Sequence, residues 1–266
     1  MGVRHPSRDM SSVGDRSPWL RATAGLLALF WALLFFGIVD LLAFLQGEEF
    51  HDTILLSTGW GLLFLFLVAG PLVVLSVGRA TWSAAASVEV AAVALALVAA
   101  AALSTAPRYL LAALGVAVTV VVVTLLGATS AMSTIGSWRW SPLPAAVLAL
   151  AVIPAVRYSW ISARNTGTGV ITDDTLGFDH WPAQAALPIA ALLIAGVAVG
   201  HPRGWRLPAW SVAGTAIWFA LVSFAEPNLV GSMNRQWSAA VVAWSVLFVA
   251  AMQFSARPST VRASAQ

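Results

Sequence analysis

The chain has 266 residues, of which 59% are hydrophobic and 9% charged, with a formal net charge of +3. A soluble domain carries about 25% charged residues, so this chain lacks the polar surface to face water. With no cysteine and no lysine, disulfides, thiolate metal sites, c-type haem attachment and a retinal Schiff base are all excluded.

About 20 apolar residues are needed to span a bilayer, and eight runs reach that length. They are Ala22 to Leu45, Ile54 to Val77, Trp82 to Leu103, Tyr109 to Thr129, Leu143 to Ile161, Pro182 to Gly200, Leu207 to Ala225, and Trp237 to Phe254. The expected fold class is therefore all-α: one polytopic membrane domain over 19–254, flanked by polar tails at 1–18 and 255–266. The first run is too long for a signal h-region. It ends in Gln46-Gly47-Glu48-Glu49 without a small-x-small site, and reads as a signal anchor. Pro71, Pro154 and Pro188 are tolerable in membrane helices, where neighbours satisfy the freed backbone groups. Gly59-Trp60-Gly61 and Gly70-Pro71 mark the second run as a place for a bend or unwinding.

Arginine placement orients the chain. With the N-terminus inside, Arg4, Arg8, Arg16, Arg21, Arg79, Arg139, Arg203, Arg206, Arg257 and Arg262 fall on the cytoplasmic side. Only Arg108, Arg164 and Arg235 fall outside, where most of the acids lie. An odd helix count would break this pattern, so the expectation is eight spans with both termini inside. Trp19, Trp82, Trp138, Trp140 and Trp205 sit at inner ends and Trp160, Trp181 and Trp237 at outer ends, as an aromatic belt would. In the third run Ser83, Ser87 and Ala91 recur every fourth residue, as do Ala92, Ala96 and Ala100. Such small residues let helices approach closely and place this run near the bundle centre. The arginine-only basic complement and the abundance of alanine, valine and glycine suggest the cell membrane of a high-GC bacterium.

Three ionisable residues lie within spans: Asp40, Glu89 and Arg157. Such residues usually face a bundle interior or a water-filled cavity. At about 1.5 Å per residue, Asp40 and Arg157 share a depth near the outer side, where they can pair or line a substrate or proton path. Glu89 lies nearer the inner side. A second constellation occupies the outer loops: Glu48, Glu49, His51 and Asp52 in one, and Asp173, Asp174, Asp179 and His180 in another. Gln184 follows His180 by one helical turn, so both share a face. Imidazoles and carboxylates suit a divalent cation, but neither loop has an established ligand spacing. The plainer reading makes these loops acidic because arginine is excluded from them, with Asp179 as a helix N-cap.

Other chemistries are excluded. The histidines lie in tails, loops or helix ends, which is wrong for bis-histidine haem. There is no P-loop and no G-x-S-x-G elbow. Glu48-Glu49 lacks the following arginine and the helical histidines of the intramembrane CAAX-type proteases. No basic cluster with interleaved aromatics marks a nucleic-acid site. The sequence implies no cofactor. The partners to expect are the bilayer, a small-molecule or ionic ligand, and another membrane protein. The best functional reading is a small transporter or permease-like component with an outward-facing polar cavity. The alternatives are an accessory protein without chemistry and an outer-leaflet enzyme using the His/carboxylate cluster.

Overall fold

A computed structural model describes residues 17–45, 48–77, 82–126, 140–171, 174–200 and 204–256. Asp173 and most of the two tails lie outside these residues. Six helices are long and apolar enough to cross a membrane: α3 His51–Val77, α4 Ser83–Leu103, α6 Pro142–Arg164, α7 His180–Gly200, α8 Arg206–Ala225 and α9 Arg235–Ser255. Two shorter apolar helices accompany them, α1 Pro18–Leu34 and α5 Tyr109–Leu125. A short α2 spans Gly37–Leu41, and a two-stranded hairpin pairs β1 Asp174–Thr175 with β2 Phe178–Asp179. This is an all-α bundle compatible with a multi-pass membrane protein. The long helices begin and end within a few residues of the expected runs, because apolar length is a local property of the chain.

The first run departs from expectation. It is not one continuous helix. The last turn of α1, Phe30–Leu34, widens to π geometry, and Phe36 then takes a left-handed conformation at φ 61. The chain re-enters a helix at Gly37, where a Cβ would lie 2.9 Å from the Trp31 carbonyl oxygen. A broken helix in an apolar setting must have its freed backbone groups satisfied. The Trp60 indole does this, donating to the Phe35 carbonyl at 3.0 Å.

Within α3, residues Leu62–Ala69 are π-helical, between Gly61 and Gly70-Pro71. Pro71 has no N–H and its ring crowds the carbonyl four residues back, so the widened turns sit where the α ladder cannot continue. Gly61 has a different role. A Cβ there would stand 2.5 Å from Leu41 N and 2.6 Å from its Cα, so the missing side chain lets α2 lie directly on α3.

Helices α3, α4 and α7 form the centre of the bundle, and α6 is the most exposed. Ala92, Ala96 and Ala100 of α4 are buried, as the small-residue spacing anticipates. Trp19, Trp82, Trp140, Trp160 and Trp237 are exposed on the periphery. Trp181 and Trp205 are buried instead, Trp181 donating to the Ile171 carbonyl at 3.2 Å. The two ends of the bundle are separately tied. At one, Arg21 Nε donates to the Ser76 carbonyl. At the other, Arg108 Nη1 donates to the Gly177 carbonyl.

Gly61→Ala forces backbone against backbone and should lower stability by about 1–3 kcal/mol, as overpacking does. Gly196→Ala meets nothing within 4 Å and should be neutral or slightly stabilising, alanine being the better helix former. Thermal unfolding of the two variants in detergent checks the contrast.

Candidate functional site

The break in the first run delivers Asp40 to a second element. Asp40 sits on α2, one turn beyond Phe36, and its Oδ2 accepts a hydrogen bond from Thr175 Oγ1 at 3.1 Å. Thr175 Oγ1 is also 2.9 Å from His180 Nε2. A threonine hydroxyl has one hydrogen. Once it is donated to Asp40, the imidazole Nε2 must be the donor to Thr175. Thr175 is therefore a bridge between an acid and an imidazole contributed by residues 40 and 180.

The hairpin that carries Thr175 is positioned by its turn. Leu176 and Gly177 both have positive φ, 56 and 75, the requirement of a tight two-residue hairpin turn. Thr175 pairs across the strands with Phe178, and Asp174 with Asp179. Cross-strand partners share a face, so Thr175 and Phe178 lie on one side of the hairpin and the two aspartates on the other. The hairpin is held down by Arg108 on Gly177 and by the Tyr109 hydroxyl, which donates to the Asp179 carbonyl. Asp179 Oδ1 accepts from Trp181 N at 3.0 Å, so Asp179 is the N-cap of α7, as its place in the sequence implies.

His180 is fully buried and stacks on Trp60, ring centroids 5.0 Å apart. Gln184, one turn on, is also fully buried and meets different partners. Its Nε2 donates to the Tyr158 hydroxyl at 2.7 Å, and Tyr158 donates in turn to the Gly231 carbonyl. Gly59 makes room for this amide, since a Cβ there would fall 1.7 Å from Gln184 Oε1. Thus Gly59 and Trp60 of α3 face Gln184 and His180 of α7 in adjacent layers.

The remaining sequence candidates are dispersed. Asp40 and Arg157 do not pair. Arg157 is exposed on α6 beside Val152, Ile153, Val156 and Trp160, and its guanidinium has no hydrogen bond or ion pair with any described residue. Glu89 is fully buried, with Ser211 of α8 beside it, yet no hydrogen bond of normal geometry reaches either carboxylate oxygen among the described residues. His51 turns to Glu226, 4.0 Å away, on an exposed surface. Asp52 and Asp174 are exposed. The backbone of Glu48 and Glu49 belongs to a 3-10 turn, Glu48–Thr53. Among the described residues no group of three or more histidines and carboxylates can hold a metal ion.

Three participants escape a search for charge and metal spacing: Thr175, Trp60 and Tyr158. Asp40 and Thr175 are 135 residues apart, so no local motif can announce them. Tyrosine gives the one available signal. The chain has two, Tyr109 and Tyr158, and the hydroxyls of both hold backbone carbonyls at this site.

No protein-family model matches the chain, and no curated protein or solved structure is significantly similar to it. The site must therefore be read from its own chemistry.

Thr175→Val keeps the shape and removes the bridge. It should cost about 1–3 kcal/mol, the range for removing one hydrogen-bond partner from buried polar groups, whereas Thr175→Ser should largely retain stability. Detergent melting temperatures of the two variants check this.

Proposed function

We propose that the chain is an eight-span protein of a bacterial cell membrane, with both termini inside, and that it is a small transporter or permease-like component. The observation that carries this reading is the Asp40–Thr175–His180 bridge, set beside a broken helix and covered by a hairpin. Discontinuous helices form binding sites in transporters, and ionisable residues within spans are expensive unless they serve a path.

The interior beyond this cluster supports a path. Thr58, Ser87, Glu89, Thr215 and Ser223 carry buried side-chain oxygens with no hydrogen-bond partner among the described residues. Ser211 and Thr215 are four apart on α8 and so share a face. Glu89 lies beside the first of them. Unpaired buried polar groups cost free energy. Passing water, protons or solute would satisfy these groups.

The enzyme reading is weaker. His51 and His180 join different partners, and Thr175 gives its hydrogen to Asp40 rather than to an imidazole base. One observation favours an accessory role: Arg157, exposed among apolar side chains of α6, suits an anionic headgroup or an acidic residue of a neighbouring membrane protein.

The cysteine-free chain allows single-cysteine labelling. Cysteines replacing Thr168 and Asn228 should react with an impermeant maleimide on whole cells, and those replacing Ser17 and Ala256 only after permeabilisation. The opposite pattern contradicts the orientation. For activity, a panel of labelled cationic, anionic and neutral solutes in proteoliposomes should include one whose flux falls at least ten-fold in Asp40→Asn and in Glu89→Gln. Empty-liposome rates for every solute would contradict the transport reading.

A further inference from the structure

The polar bridge lies against a cluster of aromatic rings that hydrogen bonding does not explain. The ring of Phe178 is surrounded by Phe35, Trp60 and Tyr109. Their centroids stand 5.9, 5.9 and 5.6 Å from that of Phe178, at interplanar angles of 57°, 46° and 89°. Phe35 and Trp60 are themselves stacked at 5.2 Å, and Tyr109 stands edge-on to Trp60 at 6.4 Å. The three rings stand around one guest, Phe178. That guest belongs to the hairpin, whereas its hosts come from α3, α5 and the break in the first run.

We infer that Phe35, Trp60 and Tyr109 form a cage for an organic ammonium ion, closed in this structure by the Phe178 ring as an internal plug. The inference rests on the transport reading and names the substrate class of the same site. Aromatic faces within about 6 Å of a cation attract it through the ring quadrupole. The carboxylate that completes such a site is at hand. Asp40 holds Thr175, and Thr175 is the cross-strand partner of Phe178 on the same face of the hairpin. When the hairpin lifts, the plug leaves the cage and the Thr175 hydroxyl leaves Asp40 Oδ2 and His180 Nε2 in one movement. A carboxylate uncovered beside aromatic walls selects for positive charge and against anions.

The hairpin has the features of a removable part. Its strands are two residues each, and an isolated two-stranded hairpin is marginal in water. Leu176, exposed at its tip, takes a left-handed conformation that a leucine rarely adopts. Besides the Thr175 contacts, its backbone accepts hydrogen bonds from the Arg108 guanidinium and the Tyr109 hydroxyl, and Asp179 Oδ2 accepts from Gly167 N at 3.4 Å. The arginine lies outside the cage, so the latch can be altered without touching the walls.

The test is calorimetric binding of benzyltrimethylammonium to the purified full-length chain in detergent, with sodium benzoate and benzyl alcohol as the anionic and neutral controls. Wild type should bind the cation. Phe178→Ala should bind it at least ten-fold more tightly, because the competing ring is gone. Arg108→Ala, which leaves the cage intact, should bind about three-fold or more tightly. In the Phe178→Ala background, Asp40→Asn and Trp60→Leu should each weaken binding at least ten-fold. Equal or weaker cation affinity in both Phe178→Ala and Arg108→Ala, with unchanged melting, overturns the proposal. So does Asp40-dependent binding of benzoate or benzyl alcohol in place of the cation, although that result leaves the transport reading standing. Cation binding without flux of any solute would sink the transport reading and leave the cage.

Discussion

A helix in an apolar environment can be interrupted only where another group takes over its backbone hydrogen bonds. In this chain the Trp60 indole does so for the Phe35 carbonyl. Much of the Asp40–Thr175–His180 site depends on that exchange. Because the chain turns at Phe36, the Phe35 ring can enter the cluster around Trp60, and Asp40 can face the hairpin instead of continuing along α1. Gly61 makes the arrangement possible from the other side, since any side chain there would push α2 away from α3. Trp60 has a second role, with its ring lying flat against His180. One tryptophan thus fixes the broken helix and the imidazole that the break brings within reach.

The fold was legible in the sequence to the extent that it depends on local composition. The six long helices follow from runs of apolar residues, and the capping role of Asp179 follows from its place before an apolar run. The break at Phe35–Gly37 was not legible. Leu-Leu-Phe-Phe-Gly reads as an ordinary membrane helix, and its interruption is stabilised by Trp60, 25 positions away in sequence. The hairpin was hidden for a related reason, being four residues and a turn inside a loop whose acids drew attention to metal binding.

The candidate site was partly visible. Asp40, His180 and Gln184 could be singled out as polar residues at the edge of apolar runs; Asp40 and His180 meet at Thr175, and Gln184 joins Tyr158 in the adjacent layer. Arg157 met the same criterion and lies elsewhere, because depth along a helix says nothing about which way the side chain faces. On α6 it points away from the bundle centre, and Tyr158 beside it points in. Glu89 is buried, with the Ser211 hydroxyl beside it. Thr175 carried no signal at all. Its importance comes only from standing between two groups that the fold brings together from residues 40 and 180.

The hairpin closes over the broken first helix, with residue 175 against residue 40. Oxidative cross-linking of the Asp40→Cys/Thr175→Cys double variant, in a chain with no other cysteine, tests this directly. An intramolecular disulfide, identified by mass spectrometry and formed in high yield in the membrane, is the predicted result. Two thiols that remain separately alkylated under the same oxidant, in a variant that still inserts and folds, would contradict it.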